Sequence, residues 1–525
     1  MSPRVIESDV CIIGSGISAA MVAEKLAEER EVRIVVVEAG AENDRLNARP
    51  ALWRRYLDYG ESPWHDDHLD GCDVAGIQSR SMQVGGLAMH WGGVTPRFSP
   101  EDFRQRSLYG VGTDWPLSYD ELDPFYQEAE VRMGVAGEPG PPDLDPRGRP
   151  FPLPALPLTH NLGLLREWAA KAGIPMWSQP SAKNSVAYRG RPACCRNDTC
   201  SPVCPIGAKY SPDFTWDALR KAGRVELLTG TMVRRLIPEP TGARVSHATA
   251  VSLVGGEELE FRARTFVVAG GYVWSSHLLM LSGLANRSGL VGRFLTGHRN
   301  VSGFVSLPLR LYPGMNGQHS LVTKKFMRVP RGDRYLRHDL RVWESSLGRE
   351  PRLADDQGRL LLGDGLLADW RRRTETGTAR VRAYYDVIPD RASELTLDPS
   401  RRTPWGDPLP RLTLRDAPES DASRGWIEER IRGLFGEMAR AGDGTLLSTR
   451  SDSFQDHPAG GCRMGDDPAS SVTDSWGRTH DHENLFVAGA PTCVSGGCAN
   501  GTLTFCALAL RSAARIGEAF PARAR

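Results

Sequence analysis

Short apolar runs that end in glycine set the pattern of the chain. Val10-Cys11-Ile12-Ile13 leads into Gly14-Ser15-Gly16, Ser18 to Glu29 repeats apolar residues at helical spacing, and Val32 to Val37 is apolar again. The spacing predicts strand, turn, helix and strand, one βαβ unit at the start of the chain. Ala20, Val22, Ala23, Leu26 and Ala27 form the helix face that packs on the sheet. Two later runs, Thr265 to Gly271 and Asn484 to Gly489, have the same form. Continuous apolar runs of this length belong to strands covered on both faces, as in parallel sheets.

Other stretches differ. Residues 135–158 are rich in Pro and Gly and read as a linker or long loop. Between 300 and 450 the pattern alternates, as in Ala379 to Tyr385 and Leu395 to Leu397, which predicts an antiparallel sheet. No fixed-period repeat occurs. The expected fold class is α/β: a Rossmann-like dinucleotide-binding domain of residues 1–150, 215–300 and 450–525, interleaved with an α+β substrate domain of residues 151–214 and 301–449.

Composition narrows the classes further. A chain of 525 residues holds a large core, and 65 basic against 64 acidic side chains leave a net charge of +1, which argues against a nucleic-acid partner or an anionic surface. Seven of the basic residues are lysine and the rest arginine, which reads as coding bias. No apolar run is long enough for a membrane span, and Met1 to Asp9 lacks the form of a signal peptide, so a cytoplasmic address is expected. Export to the periplasm with a partner subunit is the alternative.

The turn Gly14-Ser15-Gly16-Ile17-Ser18-Ala19 follows a strand and opens a helix, and Glu38 ends the next strand. Glycines there let the backbone approach a pyrophosphate at a helix N-terminus, and the carboxylate suits a ribose hydroxyl pair. The flanking strands and the acid separate this motif from an ordinary Gly-rich turn. Three more motifs follow: Gly85-Gly86-Leu87-Ala88-Met89-His90-Trp91-Gly92-Gly93, His457-Pro458-Ala459-Gly460-Gly461-Cys462-Arg463-Met464-Gly465, and Gly497-Cys498-Ala499-Asn500-Gly501-Thr502-Leu503-Thr504.

In kind and in order these motifs resemble the glucose-methanol-choline (GMC) family of flavoprotein oxidoreductases over nearly the whole chain. The resemblance implies FAD, with His457 and Asn500 as the catalytic pair and Gly14, Gly16, Ala19, Glu38, Gly86, His90, Trp91, Val233, Gly489 and Thr502 as cofactor-binding residues. Hydride leaves a carbinol carbon slowly unless the hydroxyl proton is removed, so an imidazole with a pKa of about 6.5 suits the base. His457 would take the proton, Asn500 would orient the oxygen, and flavin N5 would accept the hydride. The helix predicted from Thr502 to Ile516 would turn its positive end to the reduced ring. Gly501 stands where many relatives carry Pro, and a looser turn is expected. In some relatives a His-Trp such as His90-Trp91 carries a covalent flavin bond; in others it does not.

Cys194, Cys195, Cys200 and Cys204 fall within eleven positions and need an explanation of their own. Disulfides, structural zinc, incidental buried cysteines and an iron–sulfur cluster are the readings, the last because ligand runs often close with Cys-x-x-x-Cys-Pro. The segment also looks like the cysteine-rich insertion of bacterial FAD-dependent glucose, fructose and gluconate dehydrogenase large subunits. That resemblance implies a [3Fe–4S] cluster, with Cys195, Cys200 and Cys204 as preferred ligands. Cys462 and Cys498 flank the catalytic pair, whereas Cys11, Cys72, Cys493 and Cys506 read as small core residues.

The function expected is oxidation of an alcohol of a sugar, polyol or aminosugar-like compound, with electrons leaving through the cluster to an acceptor protein or small subunit. An oxygen-using carbohydrate oxidase and a non-catalytic flavin electron-transfer subunit are the alternatives. Trp343, Glu344, Tyr384, Tyr385 and Asp386 are candidates for the substrate wall.

Overall fold

A computed structural model of the chain describes residues 3–42, 49–54, 82–196, 199–201, 203–312, 319–330, 333–345, 352–355, 357–403 and 405–523. Cys72, Asn197, Asp198 and Pro202 lie outside the described residues. The opening unit forms as the pattern predicts: β1 (Arg4–Ile13), α1 (Ile17–Glu29) and β2 (Ile34–Val37), with β1 and β2 parallel and in register from Val10 opposite Ile34 to Ile13 opposite Val37. On the other side of β1 lies β3 (Glu258–Val268), also parallel, and Leu485–Val487 pairs with its last three residues. The strand Val225–Leu228 extends the parallel set beyond β2. Antiparallel strands Thr231–Pro238 and Val245–Ser252 complete a sheet of seven strands among the described residues.

Alternation along β1 feeds two cores. Val10 and Ile12 pack toward α1 and the C-terminal helix α3 (Thr502–Gly517), while Cys11 and Ile13 pack on the other face with Leu278 and Leu279 of α2 (Gly271–Ser282). Burial of both faces at roughly 25 cal/mol per Å² of apolar area is what a continuous apolar run supplies.

The second sheet has eight described strands and is antiparallel at every pairing. At its centre β4 (Arg293–Leu307) is flanked by β5 (Gly377–Asp386) and by β6 (Thr445–Gly461), the long strand that carries His457. Val301, Val305, Ala379, Val381, Ala383 and Tyr385 cover one face and meet the helices His160–Lys171 and Pro418–Ala441. By the period of two, His298, Asn300, Ser302, Arg380, Arg382 and Tyr384 project from the opposite face. The Pro- and Gly-rich stretch after 135 is pinned by a short parallel pair, Ala136–Gly137 with Leu153–Pro154. Among the described residues no helix is long and apolar enough to cross a membrane.

Candidate active site

One cavity of about 430 Å³ lies between the carboxyl ends of β1 and β2 and the second sheet. Gly14, Gly16, Glu38, Gly86, His90, Trp91, Val233, His457, Asn500 and Thr502 all line it. Ala19 and Gly489 do not. Ala19 is fully buried in the core under α1, and Gly489, at φ +82°, is the glycine that lets Ser18 approach: a Cβ there would lie 2.0 Å from Ser18 Oγ. Both shape the first turn of α1 and touch nothing in the cavity.

The turn between β1 and α1 is built to approach a ligand. Gly14 has φ +99°, and a Cβ on it would meet the carbonyl oxygen of Ala269 at 2.7 Å. Gly16, by contrast, has an ordinary φ of −64°, and a Cβ on it would meet no protein atom within 4 Å. Its missing side chain therefore leaves room in the cavity itself, at the N-terminus of a 13-residue helix where backbone N–H groups point outward. The Ser15 backbone N–H and hydroxyl donate to one oxygen of Glu38 at 2.9 and 2.6 Å, and the Gly40 N–H donates to the other at 2.8 Å. Burial pushes the Glu38 carboxyl above its usual range. Ser15 Oγ also accepts from the Gly85 N–H, so this acid, the turn and the Gly85-Gly86 segment are one unit.

The end that carries His457 and Asn500 is assembled differently. On β6, His457 and Pro458 together oppose the single residue Gly297 of β4, a bulge between the pairs His298–Asp456 and Thr296–Ala459. His457 takes φ +55°, rare for a residue with a side chain, and a bulge re-aims the side chain it carries. The result is a chain of side chains. Asn500 Nδ2 lies 2.7 Å from His457 Nε2, and His457 Nδ1 lies 3.0 Å from His298 Nε2. Asn500 Oδ1 is buried with no hydrogen-bond partner, and Asn500 lines the cavity. Burial, followed by the neighbouring His457 and Arg341, holds His298 well below the usual imidazole pKa.

The loop before Asn500 is held rigidly. Trp115 Nε1 donates to Ser495 Oγ at 3.0 Å, and Cys498 sits with Asp102 and Asp386 in a buried cluster centred on Arg337, whose guanidinium reaches the two acids at 2.9 and 3.0 Å. Asp386 is thereby engaged in the loop's support, Tyr385 faces the helices with its hydroxyl donating to Glu428, and Glu344 accepts from Asn161. Tyr384 alone of the five wall candidates lies beside His298 and His457, its ring tilted 4.5 Å from the first and edge-on 6.3 Å from the second. Trp343 lies on the same sheet face beneath Arg380 and Arg382.

The α3 helix starts at Thr502 with Gly501 as its cap, as the pattern predicts. The expected looseness at Gly501 is corrected by the structure. Its backbone is helical, and the ring of Phe505 occupies the space a Cβ would take, 2.6 Å away.

Of the four clustered cysteines, Cys200 and Cys204 are buried, Cys194 is partly buried and Cys195 is exposed. The only described group of His, Cys, Asp and Glu with ligand atoms mutually within 4.8 Å is the Asp102, Asp386 and Cys498 set, so no three of the four thiols converge as a single zinc ion requires. Cys194, whose pKa burial raises, lies within electrostatic reach of Cys200 and Cys204. Lys209 ties this segment to the cavity, donating to the Cys200 carbonyl at 2.8 Å and to the Trp91 carbonyl. Cys11, Cys493 and Cys506 are buried core thiols.

His298 and Lys209 escaped the sequence reading. Each stands in no motif, and only its contacts give it a role.

Two family models described as GMC oxidoreductase match the chain, over residues 164–300 and 389–509. The chain is 32% identical to the fructose dehydrogenase large subunit of Gluconobacter japonicus, covering 98% of this chain and 99% of that one. It is 30% identical to paromamine 6'-oxidase of Streptomyces fradiae, covering 97% and 91%. Among solved structures, pyridoxine 4-oxidase from Mesorbium loti matches with a TM-score of 0.61 at 19% identity, over 97% of this chain and 98% of that one, a likeness of fold. With these matches spanning both sheets and the cavity between them, the chain belongs to the GMC oxidoreductase family.

Proposed function

We propose that the protein is an FAD-dependent dehydrogenase that oxidises an alcohol of a sugar, polyol or aminosugar-like compound. The observation that carries the reading is the pair His457 and Asn500, 2.7 Å apart in the cavity that the Gly14 to Gly16 turn also lines. The space at Gly16 and the unpartnered Asn500 Oδ1 fit a bound dinucleotide and its substrate. Gly14, Gly16 and Gly86 would pass the pyrophosphate, Glu38 would meet a ribose, and His90, Trp91, Val233 and Thr502 would surround the rest. FAD, when bound, supplies the hydride acceptor.

The chain's own residues do the remaining work. The substrate hydroxyl enters between His457 and Asn500, replacing their mutual hydrogen bond. Nε2 of His457 takes the hydroxyl proton, the Asn500 amide donates to the oxygen, and the carbinol hydrogen departs as hydride to leave a carbonyl. The relatives named for fructose and paromamine support a polyhydroxylated substrate.

The second part of the proposal concerns the cysteines. A cluster several atoms across takes thiols further apart than the ligands of one ion do. The exposure of Cys195 favours Cys194, Cys200 and Cys204 over the expected set of Cys195, Cys200 and Cys204. Lys209, between Cys200 and the His90-Trp91 segment, would set the cluster beside the cofactor as the exit for electrons to an outside acceptor. In this reading the cofactor domain comprises residues 1–150, 215–300 and 450–525, and the substrate domain 151–214 and 301–449.

The test is anaerobic mixing of purified protein with polyols, sugars and aminosugars while the flavin absorbance is followed. Bleaching by a polyhydroxylated alcohol is expected, and bleaching by none of them overturns the substrate class. Iron and labile-sulfide analysis of the same preparation tests the exit. An iron-free protein that reduces oxygen at full rate would make it an oxidase instead.

A further inference from the structure

We infer that His298 is a positioning residue that holds His457 in the one tautomer able to act as base. The inference rests on the proposal that His457 takes the substrate proton. Asn500 Nδ2 can only donate, so His457 Nε2, 2.7 Å away, accepts and carries no proton. The proton of the neutral ring then lies on Nδ1, which donates across 3.0 Å to His298 Nε2. His298 must therefore accept at Nε2 and hold its own proton on Nδ1. Each link dictates the next.

The surroundings of His298 keep it an acceptor. It is fully buried, and its ring lies 4.5 Å from Tyr384 and 5.0 Å from His457. From the neighbouring strands come Arg341, paired with Asp339, and Tyr384, whose hydroxyl accepts from Arg382. From the loop that carries Asn500 comes the backbone of Gly496 and Gly497, which favours a proton on the His298 ring against the other neighbours, and a Cβ on Gly496 would strike the Gly297 carbonyl at 2.1 Å. A second proton on His298 is opposed by burial and by the positive charges of His457 and Arg341.

This arrangement has a chemical consequence. When Nε2 of His457 gains the substrate proton, the O–H bond of the alcohol breaks and an N–H bond forms, leaving an imidazolium. Its Nδ1–H already points at a neutral acceptor, so the new charge is stabilised without a carboxylate behind it. A carboxylate there would hold the ring protonated more strongly. Without any acceptor, the proton of the neutral ring would move to Nε2 and block the lone pair.

The experiment measures anaerobic flavin reduction by the best substrate of the screen between pH 5 and 9, in the wild type, His457→Ala, His298→Leu and His298→Gln. His298→Leu should reduce the limiting rate about 100-fold and move the acid limb of the pH profile down by about one unit, since a lost acceptor disfavours imidazolium. His298→Gln, whose Oε1 can accept, should keep both near wild type. Thermal melting checks folding, and His298→Asn, too short to reach Nδ1, replaces Leu if that variant does not fold. Unchanged rate and pH profile in His298→Leu, or equal losses in Leu and Gln, would overturn the positioning role while a slow His457→Ala still upholds the base. An unimpaired His457→Ala would overturn the base itself.

Discussion

The two ends of the cavity are built on opposite plans. At the end lined by the Gly14 to Gly16 turn most of the residues lie in one strand, turn, helix and strand between Val10 and Glu38, joined by Gly85-Gly86, and the glycines do their work by what they lack. At the end that carries His457, residues 298, 384, 457 and 500 come from three strands and a loop, and a bulge with His457 at φ +55° brings them to one point. A local turn tolerates variation elsewhere in the fold. A long-range constellation depends on the sheet register, on the Arg337 ion cluster behind Cys498, and on the close approach of Gly496 to Gly297. Binding and chemistry should therefore separate under mutation.

The strongest separation is expected at His457. His457→Ala should slow flavin reduction by roughly 10²- to 10⁴-fold while the protein keeps its yellow cofactor, measured by anaerobic stopped-flow and by flavin content. Normal reduction would erase the distinction between the two ends. At the other end, Gly489→Ala combines a left-handed φ with a side-chain overlap at Ser18 Oγ, and should lower the stability of the folded chain by about 1–3 kcal/mol in denaturant titration. The smallest structural effect is expected at Gly16. Gly16→Ala adds a Cβ that meets no protein atom within 4 Å, so the melting temperature without flavin should hold while flavin affinity falls about 10-fold by fluorescence titration, roughly 1.4 kcal/mol. A variant that melts early yet binds flavin normally would show that Gly16 serves the fold and not the ligand.

The pattern of the sequence located much of this. The βαβ unit, the strands ending at Val268 and Val487, the alternating β5 and the helix from Thr502 all lie where hydrophobic spacing put them. Local patterns suffice there because burial of a strand or a helix face is written in neighbouring residues. Of the wall candidates, Tyr385 follows Tyr384 directly yet serves the helix-facing core, since side chains of a strand alternate between faces, and Asp386, on the face of Tyr384, is held by the Arg337 cluster. Gly501 shows the reverse: its need for space comes from Phe505, a partner four residues on.

What the sequence by itself determined is the family, from four motifs in order, and the βαβ unit with its Gly14 to Gly16 turn, because each motif rests on residues close in the chain. The tertiary structure alone decided that His298 stands behind His457, that Cys195 is exposed while Cys200 and Cys204 are buried, and that Lys209 joins the cysteine segment to Trp91. Those facts depend on which strand faces which and on how deep each side chain lies. Separation in sequence carries no record of either.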